Sequence, residues 1–238
     1  APSHVYPGWH LVGNPYPCYL DFESFNSTRI LNLETTIWHR TNGVVATYKQ
    51  GTGESTNGGQ AEIPPLQSFW VKIENGQTSG EIGFRNLQKA VYNNATVTSF
   101  FRKANNPSKQ VISLKIRSVS SDMTDENKIV FIDGATNKFD SLDASKLEND
   151  DAHNQISYTE DSVSTAINAF DQMLSDNEQR TINFGFKTSD SGDYVYSAEV
   201  QSESSNDSLE VILYDKLTGL SHNLTEDGDY EFTSEKPN

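Results

Sequence analysis

The chain has 238 residues, 34% hydrophobic and 21% charged, with 18 Lys+Arg against 33 Asp+Glu and a formal net charge of −15 at pH 7. That balance excludes nucleic acid as a partner, because nothing neutralises phosphates, and it disfavours anionic lipid surfaces. No run of about 18 apolar residues is present, so no membrane insertion is expected, and the lone cysteine, Cys18, excludes an internal disulfide and reads as a half-buried small residue.

The charge is unevenly divided. Residues 1–105 carry 8 Lys+Arg and 7 Asp+Glu, whereas residues 106–238 carry 10 and 26. Trp9, Trp38 and Trp70 all lie in the first part. The division predicts two domains: an aromatic, near-neutral β-sandwich over 1–105 and an acidic β-sandwich over 106–238. The turn-rich stretch 104–108 (ANNPS) is the expected boundary, with a linker short enough to pack the two together. The ends at Ala1 and Asn238 read as cut points in a longer protein, and no basic-then-apolar leader is read at the start.

Residues 35–41 (TTIWHRT) and 44–50 (VVATYKQ) flank Asn42-Gly43, a pair suited to the two positive-φ positions of a type I′ hairpin turn. The pairing places Ile37, His39, Ala46 and Tyr48 on one face and Trp38, Arg40, Val45 and Thr47 on the other. Residues 51–60 (GTGESTNGGQ) read as a flexible polar loop without the lysine of a phosphate loop. Ile63-Pro64-Pro65 sets a stiff lead into a strand over 66–73, and a further strand is expected over 80–85.

In the acidic part, strands are expected around 110–117, 128–132, 155–158, 180–187, 193–200, 209–214 and 228–232, with 215–219 (DKLTG) a turn. Ile182, Phe184 and Phe186 alternate onto one face, as do Tyr194, Tyr196, Ala198 and Val200. Residues 163–174 fit a short helix capped at Asp161 or Ser162, with Ile167, Phe170 and Leu174 at helical spacing; they fit a strand ending near Phe170 nearly as well. Short, evenly spaced strands with Gly/Asn/Asp turns predict an all-β fold of two packed sandwiches, the second jelly-roll-like or immunoglobulin-like.

No catalytic motif emerges, so no enzyme activity is expected. His4, His10, His39, His153 and His222 lack zinc-ligand spacing, and no Gly-x-Ser-x-Gly elbow is present. Carboxylates cluster in turns at Asp122, Asp125 and Glu126, at Asp133, Asp140 and Asp143, and at Glu226, Asp227 and Asp229. Loop carboxylates and carbonyls suit calcium. Asp122, Asp125, Glu126, Asp227 and Asp229 are therefore candidate ligands, set against the simpler reading of a solvated acidic surface. Exposed aromatic rings stack on sugars and anchor interfaces; Trp9 and Trp70 read as core, while Trp38 and Tyr48 divide evenly between core and binding platform. Asn26, Asn94, Asn206 and Asn223 begin N-glycosylation triplets, a weak signal in a chain this rich in Asn, Ser and Thr.

Three segments carry a resemblance. Gly8–Pro17 (GWHLVGNPYP) resembles the GWNLVGNPYP signature of large secreted and surface proteins of Bacteroidetes. Residues 63–72 (IPPLQSFWVK) resemble the IPPGQGFFVK segment of the same family, with Leu66 and Ser68 in place of its glycines. Residues 126–147 (ENKIVFIDGATNKFDSLDASKL) resemble its later acidic stretch, and 213–219 and 230–232 its ending. The resemblance implies export by the type IX route, a position next to a C-terminal sorting domain, a β-sandwich fold and no catalytic residues to carry over. It also implies O-glycosylation at Asp-Ser-hydrophobic triplets, here at Ser141, Ser162 and Ser208.

Together these point to a non-catalytic structural or adhesive module, secreted to the cell surface, that meets other copies of itself or other surface proteins through exposed sheet edges. The alternatives are a glycan-binding module built on Trp38, Tyr48 and the 51–59 loop, and an accessory domain of a secreted enzyme.

Overall fold

The computed structural model describes residues 7–41, 43–90, 109–121, 123–149, 153–171, 179–202 and 209–235. The protein is all-β, and no α-helix occurs among the described residues. The chain divides into two compact units, residues 1–39 with 46–105, and residues 40–45 with 106–238. The hairpin end at 40–45 thus groups with the acidic unit, because the Val45 amide donates to the side chain of Asn149 at 2.7 Å, a long-range contact that local sequence does not announce.

The first ten strands are β1 (Trp9–Gly13), β2 (Tyr19–Asp21), β3 (Ile30–Leu31), β4 (Thr36–Thr41), β5 (Val44–Lys49), β6 (Glu54–Thr56), β7 (Glu62–Ile63), β8 (Ser68–Lys72), β9 (Glu81–Ile82) and β10 (Lys89–Ala90). They form a five-stranded sheet in the order β1-β8-β4-β5-β6, a three-stranded sheet β10-β2-β7, and the pair β3-β9. The hairpin turn carries Gly43 at φ 85°, as the type I′ geometry requires; Asn42 lies outside the described residues.

One face of the five-stranded sheet buries Ile37, Phe69 and Val71 against Leu20 and Ile63 of the three-stranded sheet and against Phe22 of the short 3-10 helix Phe22–Ser24 and Phe25 just after it. Each such side chain, withdrawn from water, contributes about 1.5–3 kcal/mol. Tyr48 packs on the same cluster as Ile37, in keeping with the face expected for both. The 51–60 segment departs from a flexible loop. Thr52, Glu54 and Thr56 are buried, β6 pairs with β5, and a Cβ added to Gly59 would overlap the Thr47 carbonyl. Its polar residues are used to pair and pack, so low hydrophobicity there did not mean exposure.

The acidic unit holds β11 (Lys109–Ser118), β12 (Thr124–Ile132), β13 (Ala144–Ser145), β14 (Asn154–Tyr158), β15 (Ser164–Asp171), β16 (Asn183–Lys187), β17 (Gly192–Ser202), β18 (Ile212–Asp215), β19 (Leu220–Asn223) and β20 (Tyr230–Ser234). Its main sheet runs β16-β14-β15-β12-β11-β17-β20. The central strands are buried on both faces. Val111, Val130 and Ile132 enter one cluster with Ile167 and Ala169, while Ile112, Ile129 and Phe131 enter another with Phe170.

The fold decides between the two readings of 163–174. Residues 164–171 form the strand that ends near Phe170, and the helix is the reading that falls: Thr165 and Asn168 are buried along with Ala166, Ile167, Ala169 and Phe170, a continuous run that suits a central strand covered on both faces and that a one-faced helix does not give. The β12–β15 pair is parallel, while the other pairings of this sheet are antiparallel. The hairpin β18–β19 is a separate sheet, and Leu213 of it packs on the cluster around Ile116, Tyr194 and Tyr196.

Candidate functional site

The strands nearest the two ends of the chain stand at sheet edges. β1 pairs only with β8, and β20 pairs only with β17; no strand lies beyond either among the described residues. In β1 the direction of each main-chain group follows from the bonds that bracket the ladder. The Ile73 amide donates to Gly8 at 2.8 Å and the Asn14 amide to Gln67 at 2.9 Å. Even-numbered residues therefore turn their main chain toward β8, and Trp9, Leu11 and Gly13 turn theirs toward the open edge. Leu11 is 58% exposed. His10 and Val12, on the other face of β1, line with Leu33, Val71, Ile73, Ile82 and residues 78–80 a largely apolar, half-open pocket of about 310 Å³. The WHLVG run has the alternation of a strand, and this signal was available in the sequence, where it was read only as part of a signature.

The aromatic platform is not assembled as expected. Trp38 is fully buried. Its ring meets Trp9 edge-on at 4.5 Å between centroids, and its backbone lies opposite Trp70. Neither face of a ring without solvent access can stack on a sugar. Tyr48 is half-buried against the core cluster, and its hydroxyl donates to the Glu23 carboxylate; burial, and then this hydrogen bond, push the phenol pKa up. Trp9 and Trp70, expected in the core, are only half-buried.

The carboxylates proposed as calcium ligands do not converge. Asp125 and Glu126 are successive residues of β12 and so point to opposite faces. Asp125 is fully buried, with its Oδ2 at 2.6 Å from Lys146 Nζ and accepting the Gln155 amide at 2.7 Å. Lys146 already supplies the positive charge that a cation would bring. Asp227 and Asp229 are exposed in the turn after β19, and Asp122 lies outside the described residues. Among the described residues no three His, Cys, Asp or Glu side chains gather as metal ligands.

The other acidic turn serves structure. Asp140 accepts the Thr136 amide at 2.6 Å and the Leu142 amide at 2.8 Å, and Asp143 accepts the amides of Asp140 and Ala169, each at 2.7 Å. Asp161 accepts the Thr159 hydroxyl and the Phe139 amide, which hold its pKa below the usual carboxylate range. These bonds place two of the Asp-Ser-hydrophobic triplets on neighbouring loops, with Ser141 and Ser162 exposed; Ser208 lies outside the described residues.

Among the described residues, His153 and His222 spend ring-nitrogen hydrogen bonds on main-chain carbonyls, His153 on Ile116 at 3.1 Å and His222 on Gly228 at 2.9 Å. Neither bond couples a base to a nucleophile.

A family model described as a domain of unknown function (DUF8693) matches residues 3–238. Neither the curated proteins nor the solved structures contain a match to the chain.

Proposed function

We propose that this chain, which belongs to the DUF8693 family, is a non-catalytic structural or adhesive module of a secreted cell-surface protein, joined to a second copy or another surface protein by strand addition. The observation that carries this reading is the open edge of β1, with the main chain of Trp9, Leu11 and Gly13 directed outward. An incoming strand gains affinity from main-chain bonds and selectivity from pockets for alternate side chains, and the largely apolar pocket beside His10 and Val12 adjoins the same strand. The resemblance of Gly8–Pro17 and 63–72 to secreted Bacteroidetes proteins supports export by the type IX route, and exposed Ser141 and Ser162 are the sites where surface glycans attach.

The test is electron microscopy and sedimentation of the purified chain over a wide concentration range, beside Leu11→Pro. Proline at residue 11 removes an outward N–H and none of the bonds to β8, so the fold survives while the edge is blocked. Filaments or concentration-dependent oligomers that Leu11→Pro abolishes support the reading. A chain that stays monomeric at every concentration, alone and with cell-surface extract, sinks it.

A further inference from the structure

The structure assigns a covalent cross-link to the interior of the acidic unit: we propose that Lys146 and Asp125 condense spontaneously into an intramolecular isopeptide bond. Their side chains are 3% and 0% exposed, and Nζ stands 2.6 Å from Oδ2. The carboxyl carbon, one bond further, then falls near the roughly 3–3.5 Å separation of a near-attack arrangement.

Burial supplies the driving force. Two charges withdrawn from water cost several kcal/mol each, and their attraction repays this only in part. Passing the proton along the hydrogen bond from ammonium to carboxylate removes both charges, and condensation makes the neutral state permanent. The Nζ lone pair attacks Cγ and negative charge develops on Oδ1, while the Gln155 amide, 2.7 Å from Oδ2, holds the protonated oxygen that leaves. The Cγ–Oδ2 bond breaks, the Oδ2 hydroxyl leaves with a proton from Nζ as water, and a secondary amide with Oδ1 as its carbonyl oxygen remains. Nothing is oxidised or reduced, and no co-reactant is needed. His153 offers a neutral ring for the proton transfers. Its Nε2–H is held by the carbonyl of Ile116, which lies directly across the ladder from Asp125, so Nδ1 is left as the accepting nitrogen. Both charges of the pair act on it, and burial holds its pKa down.

The bond would tie β12 to the segment that follows β13, in a chain whose single cysteine excludes a disulfide. The experiment is the intact mass of the denatured recombinant chain, followed by a tryptic map. The expected result is a mass lower by one water, failure of trypsin to cut after Lys146, and one branched peptide that joins the segment containing Asp125 to that containing Lys146. Lys146→Arg keeps the ion pair but is expected to restore the full mass. A native chain of full mass, with both segments recovered as linear peptides, overturns the proposal. So does loss of water with linear peptides only, the mark of a succinimide elsewhere.

Discussion

The side-chain amide of Asn14 donates to the carbonyl of Pro64, 50 residues away in the chain, at 2.9 Å. The same nitrogen reaches the carbonyls of Cys18 at 2.8 Å and Ile63 at 3.2 Å, while Oδ1 accepts the Tyr16 amide at 2.9 Å. Asn14 is 3% exposed. Residues 8–17 and 63–72 are therefore one structural unit, bound through this side chain and through the β1–β8 ladder. Asn14→Ala leaves buried carbonyls without a donor and is expected to cost about 1–3 kcal/mol. Asn14→Asp is expected to cost more, because a carboxylate can only accept and would face carbonyl oxygens. Urea unfolding of the three proteins checks both; an unchanged midpoint for Asn14→Ala would show that water replaces the clamp.

Trp38 has no exposed surface and touches Trp9 at 4.5 Å. Trp38→Ala removes a buried indole, and the expected loss is about 3–5 kcal/mol of stability. Denaturant melts followed by far-UV circular dichroism measure it. A variant as stable as the native chain would mean that the ring is held less tightly than its burial implies, and would reopen the sugar-stacking role that burial removes.

What the sequence disclosed, and what it hid, follows from range. The β4–β5 hairpin could be read because its turn residues and alternation are local, and β11, β12 and β17 because their apolar periods are long. The segment 164–171 is ambiguous because Ile167 and Phe170 satisfy a helical period, whereas the polar Thr165 and Asn168, which a one-faced helix would expose, are buried as well, and only the sheet decides. The site was less legible. Trp38 looked available for ligand because neighbours 29 and 32 residues away in sequence, Trp9 and Trp70, meet it only in the fold. Asp125 looked like a calcium ligand because Lys146, its partner, is 21 residues distant.

Acid sensitivity is expected from the buried imidazoles. Burial lowers the pKa of His153 and of His39 below 6.5. Between those folded values and 6.5 the unfolded chain binds more protons than the native one, so stability falls as pH drops through 6.5 and levels off below the folded values. Asp161 and Asp215, both lowered from 3.8, add a second loss only at more acidic pH. Urea midpoints between about pH 7.5 and 5 are expected to decline, and His153→Gln is expected to flatten the decline in part. A midpoint that rises on acidification in this window contradicts the assignment.

Leu66 adopts φ 59°, at the third position of a β-turn closed by the Gln67 amide on the Pro64 carbonyl at 3.2 Å. Pro65 at the second position and positive φ at the third are the requirements of a type II turn, where glycine is the residue of choice. The leucine here keeps a backbone conformation that its own Cβ opposes. Its side chain is 75% exposed and gives little packing in return. An L-residue in this region costs roughly 1–2 kcal/mol, and the extra freedom of an unfolded glycine takes back about 0.4–1 kcal/mol. Leu66→Gly is therefore expected to stabilise the chain by about 0.5–1 kcal/mol, the net of these two effects, and Leu66→Val to destabilise it, because a β-branched residue tolerates positive φ least. Paired urea melts decide the matter. A loss of stability in Leu66→Gly would mean that the exposed leucine makes a contact worth more than its strain, and residue 66 would then mark a surface that this protein uses.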